Sequence, residues 1–124
     1  MSGNPRKPVV LVVEDEALMR MFAFDVIEEA GFTVLEAASA EQAIDILNAR
    51  DDIRIIFTDV QMPGTLDGLK LASAVRDRWP PIEIIVTSGH VALDSESLPS
   101  RVQFLPKPYA PQQLVRALRS FPAA

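Results

Sequence analysis

The amino-acid sequence predicts an α/β fold, a five-stranded parallel sheet covered by helices on both faces. Three observations carry this reading. Short apolar runs recur along the chain and are continuous rather than alternating, as in strands buried on both faces. Segments with helical periodicity lie between them. A length of 124 residues accommodates these alternating units as one domain with a core of its own.

The elements follow in order. Residues 1–8, with two prolines, Gly3 and Arg6-Lys7, read as a short flexible tail, and 9–124 as the folded domain. Val9-Val10-Leu11-Val12-Val13 is the first strand. Ala17 to Ala30 is helical in composition and closes at Gly31, where a left-handed residue commonly ends a helix. Within it Met19, Met21, Phe22 and Phe24 read as helix packing. Thr33-Val34-Leu35 is a weaker strand. Ser39-Ala40-Glu41-Gln42 is a capping-box pattern that puts Ala40, Ala43, Ile44 and Leu47 on one helix face. Ile53 to Phe57, interrupted by Arg54, is the third strand. Gly68 to Trp79 carries Leu69, Ala72 and Val75 on one face and stops at Pro80-Pro81. Ile82 to Val86 and Val102 to Leu105 are the fourth and fifth strands. Between these two, Val91 to Ser100 leaves room only for a short helix that Leu98-Pro99 ends early. Pro111 suits the first turn of the last helix, followed by Leu114, Val115 and Leu118. This alternation implies right-handed crossovers between parallel strands.

Composition narrows the function. Lys plus Arg total 12 against 17 Asp plus Glu, a formal net charge of -5. A nucleic-acid binder needs a basic surface, and so does docking on anionic lipid. Neither partner is expected. There is no cysteine, which removes disulfides and thiolate metal sites. No apolar run approaches the about 18 residues of a membrane span, and Met1 to Pro8 has no apolar signal-peptide region. The expected location is the cytoplasm.

In an open parallel sheet, ligands bind at the carboxyl ends of the strands. Glu14-Asp15 follow the first strand, Thr58-Asp59 the third, Thr87-Ser88-Gly89-His90 the fourth and Pro106-Lys107-Pro108 the fifth. Their convergence on one edge is more specific than any motif alone. Glu14, Asp15 and Asp59 at adjacent strand ends would repel one another in a partly buried site. A hard divalent cation relieves this, and an all-oxygen donor set points to Mg²⁺. Glu14 and Asp15 also read as helix-capping acids, and their position alone leaves both readings open. Asp59 is less open to that reading, because a loop and not a helix follows it. Lys107, one of 3 lysines against 9 arginines, supplies a point charge suited to a phosphate or a metal-bound carboxylate. Its flanking prolines stiffen the backbone there. Thr87 and Ser88 offer hydroxyls or an ordinary turn, and His90 reads as an exposed loop residue. Arg116 and Arg119 read as a solvated helix face.

Taken together, the acidic pair Glu14-Asp15, Asp59 with Met62-Pro63 and Gly68 downstream, Thr87 with Ser88, and Lys107-Pro108 before Tyr109 resemble the response-regulator receiver domain of two-component signalling. The resemblance runs from Val9 to about Phe121. It implies a (βα)₅ flavodoxin-like fold with Asp59 as phosphoacceptor. Glu14, Asp15 and Asp59 would hold Mg²⁺, with the Gln61 backbone carbonyl as a further ligand. Lys107 would pair with a phosphoryl oxygen, and Thr87 would turn toward it as Phe104, in the switch position, moves inward. Gln61 and Gly89 occupy the positions that tune phosphoryl lifetime. The Lys107–Pro108 bond would be cis. The donor would be a histidine kinase or histidine phosphotransfer protein, and the output an altered contact with a further protein. The expected form is a stand-alone signalling protein, monomeric or weakly dimeric, rather than an enzyme. Two alternatives are weighed. A phosphohydrolase of the haloacid-dehalogenase type shares the Asp, Lys and Mg²⁺, but it would place a second acid where Gln61 stands. A receiver used only for docking, independent of phosphorylation, would not need the intact residue set.

Overall fold

The computed structural model describes residues 7–62, 64, 66–89, 98 and 101–121. Its elements are β1 (Val9–Val13), α1 (Ala17–Glu29), β2 (Thr33–Ala37), α2 (Ala40–Ala49), β3 (Ile53–Asp59), α3 (Gly68–Arg78), β4 (Glu83–Ser88), β5 (Val102–Pro106) and α4 (Pro111–Arg119). The strands form one parallel sheet in the order β2-β1-β3-β4-β5. This is the doubly wound, flavodoxin-like arrangement. Most of the tail 1–8, His90 and most of the short helix expected at Val91–Ser100 lie outside the described residues.

Side chains alternate across the sheet and build two cores. Leu11, Val13, Ile56, Ile84 and Val86 pack against α2 and α3 through Ala43, Leu47, Leu71 and Val75. Val10, Val12, Phe57 and Ile85 pack against α1 and α4 through Ala23, Ile27, Leu114 and Leu118. Central strands buried on both faces explain why their sequences read as unbroken apolar runs. The edge strands β2 and β5 are only partly buried.

Helix boundaries follow local chemistry. The α1 helix ends before Gly31, whose φ is 102°. Ser39 caps α2 by accepting from the Gln42 amide at 3.1 Å. The returning bond of the capping box is offset by one residue, since Gln42 Oε1 accepts from the Ala38 amide at 2.8 Å. Asp67 caps α3 by accepting from the Lys70 amide at 2.9 Å.

Two expectations are corrected. The fully buried stripe of α3 is Leu71, Ala72 and Val75; Leu71 is not among the residues expected there, and Leu69 packs against the same core while only partly buried. On α1, Met19 and Phe24 are half-buried and Phe22, 38% exposed, packs against Tyr109, but Met21 at 57% and Leu18 at 79% stand in solvent, so helix packing does not account for the whole cluster. The sheet already buries Ala23 and Ile27, and one helix face is all it covers.

Candidate functional site

The ends of β1, β3, β4 and β5 bring the expected residues to one edge. The β3–β4 register sets Asp59 beside Thr87, and β1 delivers Glu14 directly after Val13. Glu14 and Asp59 are buried, whereas Asp15 is exposed. Glu14, Asp15 and Asp59 each present a carboxylate oxygen within 4.8 Å of the others. Lys107 Nζ reaches Asp59 Oδ2 at 2.9 Å and Glu14 Oε1 at 3.6 Å. The Gln61 amide donates to Asp59 Oδ1 at 3.3 Å, and the Glu16 amide to Glu14 Oε2 at 3.1 Å.

Burial gives this cluster its electrostatics. Desolvation, with the Asp59 charge adding to it, raises the Glu14 pKa to about 7 against the lowering effects of the Glu16 amide and Lys107. Burial alone would lower Lys107, but its hydrogen bond to Asp59 and the charges of Asp59 and Glu14 outweigh burial and raise it. Tyr109 is raised to about 12, first by burial and then by the same two carboxylates. Three carboxylates served by one ammonium leave an excess of negative charge with oxygen donors only. This donor set fits a hard divalent cation such as Mg²⁺.

Other expected residues also fall at this edge. Thr87 is 1% exposed, and its Oγ1 makes no hydrogen bond among the described residues. Gly89 is exposed beside Lys107, and a Cβ there would lie 3.5 Å from Lys107 Cβ. The Lys107–Pro108 bond is cis. Phe104 is partly buried in the core that includes Val86, its register partner one residue before Thr87.

Three features could not be read from sequence. Ser88 Oγ donates to Gln61 Oε1 at 2.9 Å across 27 positions of chain. Gly68 lies against the Asp59 carbonyl. Tyr109 packs edge-on to Phe57 at 5.7 Å and tilted against Phe22 at 5.9 Å. Beside the carboxylates, Met19, Phe22, Gly89, Lys107, Pro108 and Tyr109 line a cleft of about 350 Å³.

A doubly wound sheet with acids, a hydroxyl and a lysine at its carboxyl edge defines a phosphate-handling signalling domain more closely than any single motif. The chain belongs to the response regulator receiver domain family, whose model matches residues 10–119. It is 35% identical over 114 residues to the sensor kinase CckA of Brucella abortus, which covers 89% of this chain and 12% of that protein. It is also 35% identical over 122 residues to the hydrogenase transcriptional regulatory protein HoxA of Cupriavidus necator, covering 94% of this chain and 24% of that protein. The chain thus spans a quarter or less of the length of these relatives. Among solved structures, a response regulator receiver protein from Sinorhizobium medicae superimposes with a TM-score of 0.86 at 28% identity, covering 92% of this chain and 93% of that one. Receiver domains take phosphoryl groups from histidine kinases in two-component signal transduction. No helix among the described residues is long and apolar enough to cross a membrane.

Proposed function

We propose that Asp59 is the phosphoacceptor, taking a phosphoryl group from a histidine kinase or histidine phosphotransfer protein and thereby changing the protein contacts of the domain spanning 9–124. The observation that carries this reading is the Asp59 surround. A buried carboxylate is paired with Lys107 at 2.9 Å and stands beside a buried Thr87 hydroxyl that makes no hydrogen bond among the described residues. A phosphoryl group on Asp59 would supply that partner.

The chemistry asks little covalent machinery of the protein. An Asp59 oxygen attacks phosphorus, the donor's N–P bond breaks, and the imidazole leaves with the electron pair. Lys107 neutralises a phosphoryl oxygen. Glu14, Asp15 and Asp59, with the Gln61 carbonyl, would hold Mg²⁺, whose charge offsets that of the phosphoryl oxygens. Thr87 then turns to donate to the phosphoryl group. The space it leaves admits Phe104, which has no hydroxyl, so the switch rests on packing alone. Phe22 lines the cleft beside Lys107, and with the exposed Leu18 and Met21 of the same helix it would provide an apolar seat for the donor protein.

A hydrolase reading fails on chemistry, because Gln61 accepts from Ser88 through a carboxamide and supplies no acid or base. The test is intact mass after incubation with Mg²⁺ and acetyl phosphate. One phosphoryl group is expected on the wild type and none on Asp59→Asn. Equal labelling of both would overturn the assignment.

A further inference from the structure

Ser88 ends β4 at 3% exposure and ties two neighbouring segments together. Its hydroxyl donates to Gln61 Oε1 at 2.9 Å in the loop after β3. Its carbonyl accepts from the Lys107 amide at 3.0 Å at the end of β5. Both tied residues touch Asp59, the Gln61 amide at Oδ1 and the Lys107 ammonium at Oδ2. Gln61 is itself exposed, as is Gly89, so these two residues stand where solvent meets a carboxylate that is only 5% exposed.

We propose that Ser88 is a positioning residue that lengthens the life of the phosphoryl group on Asp59 by holding the Gln61 carboxamide through its oxygen. The proposal rests on Asp59 being the phosphoacceptor. Loss of the phosphoryl group is a hydrolysis. A water oxygen bonds to phosphorus, the bond from phosphorus to the Asp59 oxygen breaks, and the carboxylate leaves with the electron pair. The water proton passes to the phosphate or to solvent. A side chain speeds this step by accepting a hydrogen bond from the water, which turns the water lone pair toward phosphorus. The only side-chain acceptor of Gln61 is Oε1. Rotating it toward a water breaks the bond from Ser88. The water-orienting arrangement is therefore disfavoured by the net worth of one hydrogen bond, a factor of about two to ten.

The test is the half-life of the phosphorylated protein in Mg²⁺ after the phosphodonor is removed. It compares wild type, Ser88→Ala, Gln61→Met and the double variant. Gln61→Met keeps a side chain of similar length at an exposed position but has no carboxamide. Ser88→Ala is expected to shorten the half-life about two- to tenfold in the wild-type background and to have no effect in the Gln61→Met background. A purely structural role for Ser88 would shorten it in both. An unchanged half-life in Ser88→Ala, or equal shortening in both backgrounds, overturns the proposal alone. Wild-type protein that takes up no phosphoryl group overturns the phosphoacceptor assignment, and this proposal with it.

Discussion

Lys107 Nζ stands 2.9 Å from Asp59 Oδ2 and 3.6 Å from Glu14 Oε1, so one ammonium serves two buried carboxylates from two strands. This bridge joins β5 to β3 and β1 at the edge where a phosphoryl group is proposed to arrive. Removing the lysine leaves Asp59 and Glu14 facing one another across a site with little solvent. Lys107→Ala is expected to lower stability by about 1–3 kcal/mol in the absence of Mg²⁺, and by less in its presence. Paired denaturant titrations with and without the cation measure the difference. Equal losses in both would show that Lys107 and the cation do not share the same carboxylates. The same variant is expected to weaken the spectral change that accompanies phosphorylation.

The three carboxylates are not equivalent. Asp15 is the exposed one, with a carboxylate oxygen within 4.8 Å of those of Glu14 and Asp59. Asp15→Asn is therefore expected to leave the fold intact and to weaken Mg²⁺ binding at least about tenfold, through loss of one ligand charge. A Mg²⁺ titration followed by calorimetry reads this directly. Unchanged affinity would assign Asp15 to the surface.

Gly68 opens α3 directly against the strand that carries Asp59. A Cβ at this position would lie 2.8 Å from Val60 Cα and closer still to the Asp59 carbonyl. Both neighbours are backbone, and backbone cannot rotate out of the way. Gly68→Ala is expected to destabilise by about 1–3 kcal/mol or more and to shift the β3 end that positions Asp59. The measurements are the denaturation midpoint and the rate of phosphorylation by acetyl phosphate. Full stability with a normal rate would mean that the junction relaxes freely.

Gly68 also marks the limit of what sequence could show. Strand-end residues are legible because parallel strands share one polarity, so Glu14, Asp59, Thr87 and Lys107 fall on one edge whatever the register. Contacts set by register and packing are not legible. Ser88 meets Gln61 only because β3 and β4 align Asp59 with Thr87. Gly68 touches Asp59 only because the loop between them folds back, with the Gly68 amide donating to the Val60 carbonyl at 3.0 Å. On α1, apolar residues occur around the whole circumference, so periodicity could not tell the face the sheet covers from the one left in water. On α3, Leu69 and Leu71 are equally apolar, and the approach of the sheet decided for Leu71.

Tyr109 is the only tyrosine in the chain, which makes its titration visible in isolation. Its pKa is raised to about 12 by burial and then by the charges of Glu14 and Asp59. The native state therefore keeps a proton that the unfolded chain releases near pH 10. Between these values the native state binds more protons, so stability is unaffected below about pH 10 and falls as pH rises toward about 12. Tyrosinate absorbance is expected to rise with a midpoint well above 10 while the protein stays folded. A cation at the carboxylates would lower that midpoint by cancelling part of their charge. A midpoint near 10 in folded protein would show that Tyr109 is open to solvent.

Leu18 and Met21, 79% and 57% exposed on the first turns of α1, make no contribution to either core that would explain their apolar character. Phe22, one helical turn after Leu18, lines the cleft that Lys107 and Tyr109 also line. On the proposed function, a donor protein would bring its phosphohistidine to Asp59 past this surface, whereas a small phosphodonor need not touch it. Leu18→Glu and Met21→Glu are expected to change stability by no more than about 0.5 kcal/mol, as exposed substitutions generally do. Each is expected to slow phosphotransfer from a cognate histidine kinase about tenfold, the loss typical of a buried interface anchor. Labelling by acetyl phosphate is expected to continue at the wild-type rate. Measuring both donors on the same preparation separates docking from chemistry. A fall with acetyl phosphate as well would place the effect in the site, and no fall with the kinase would assign the apolar face to another partner.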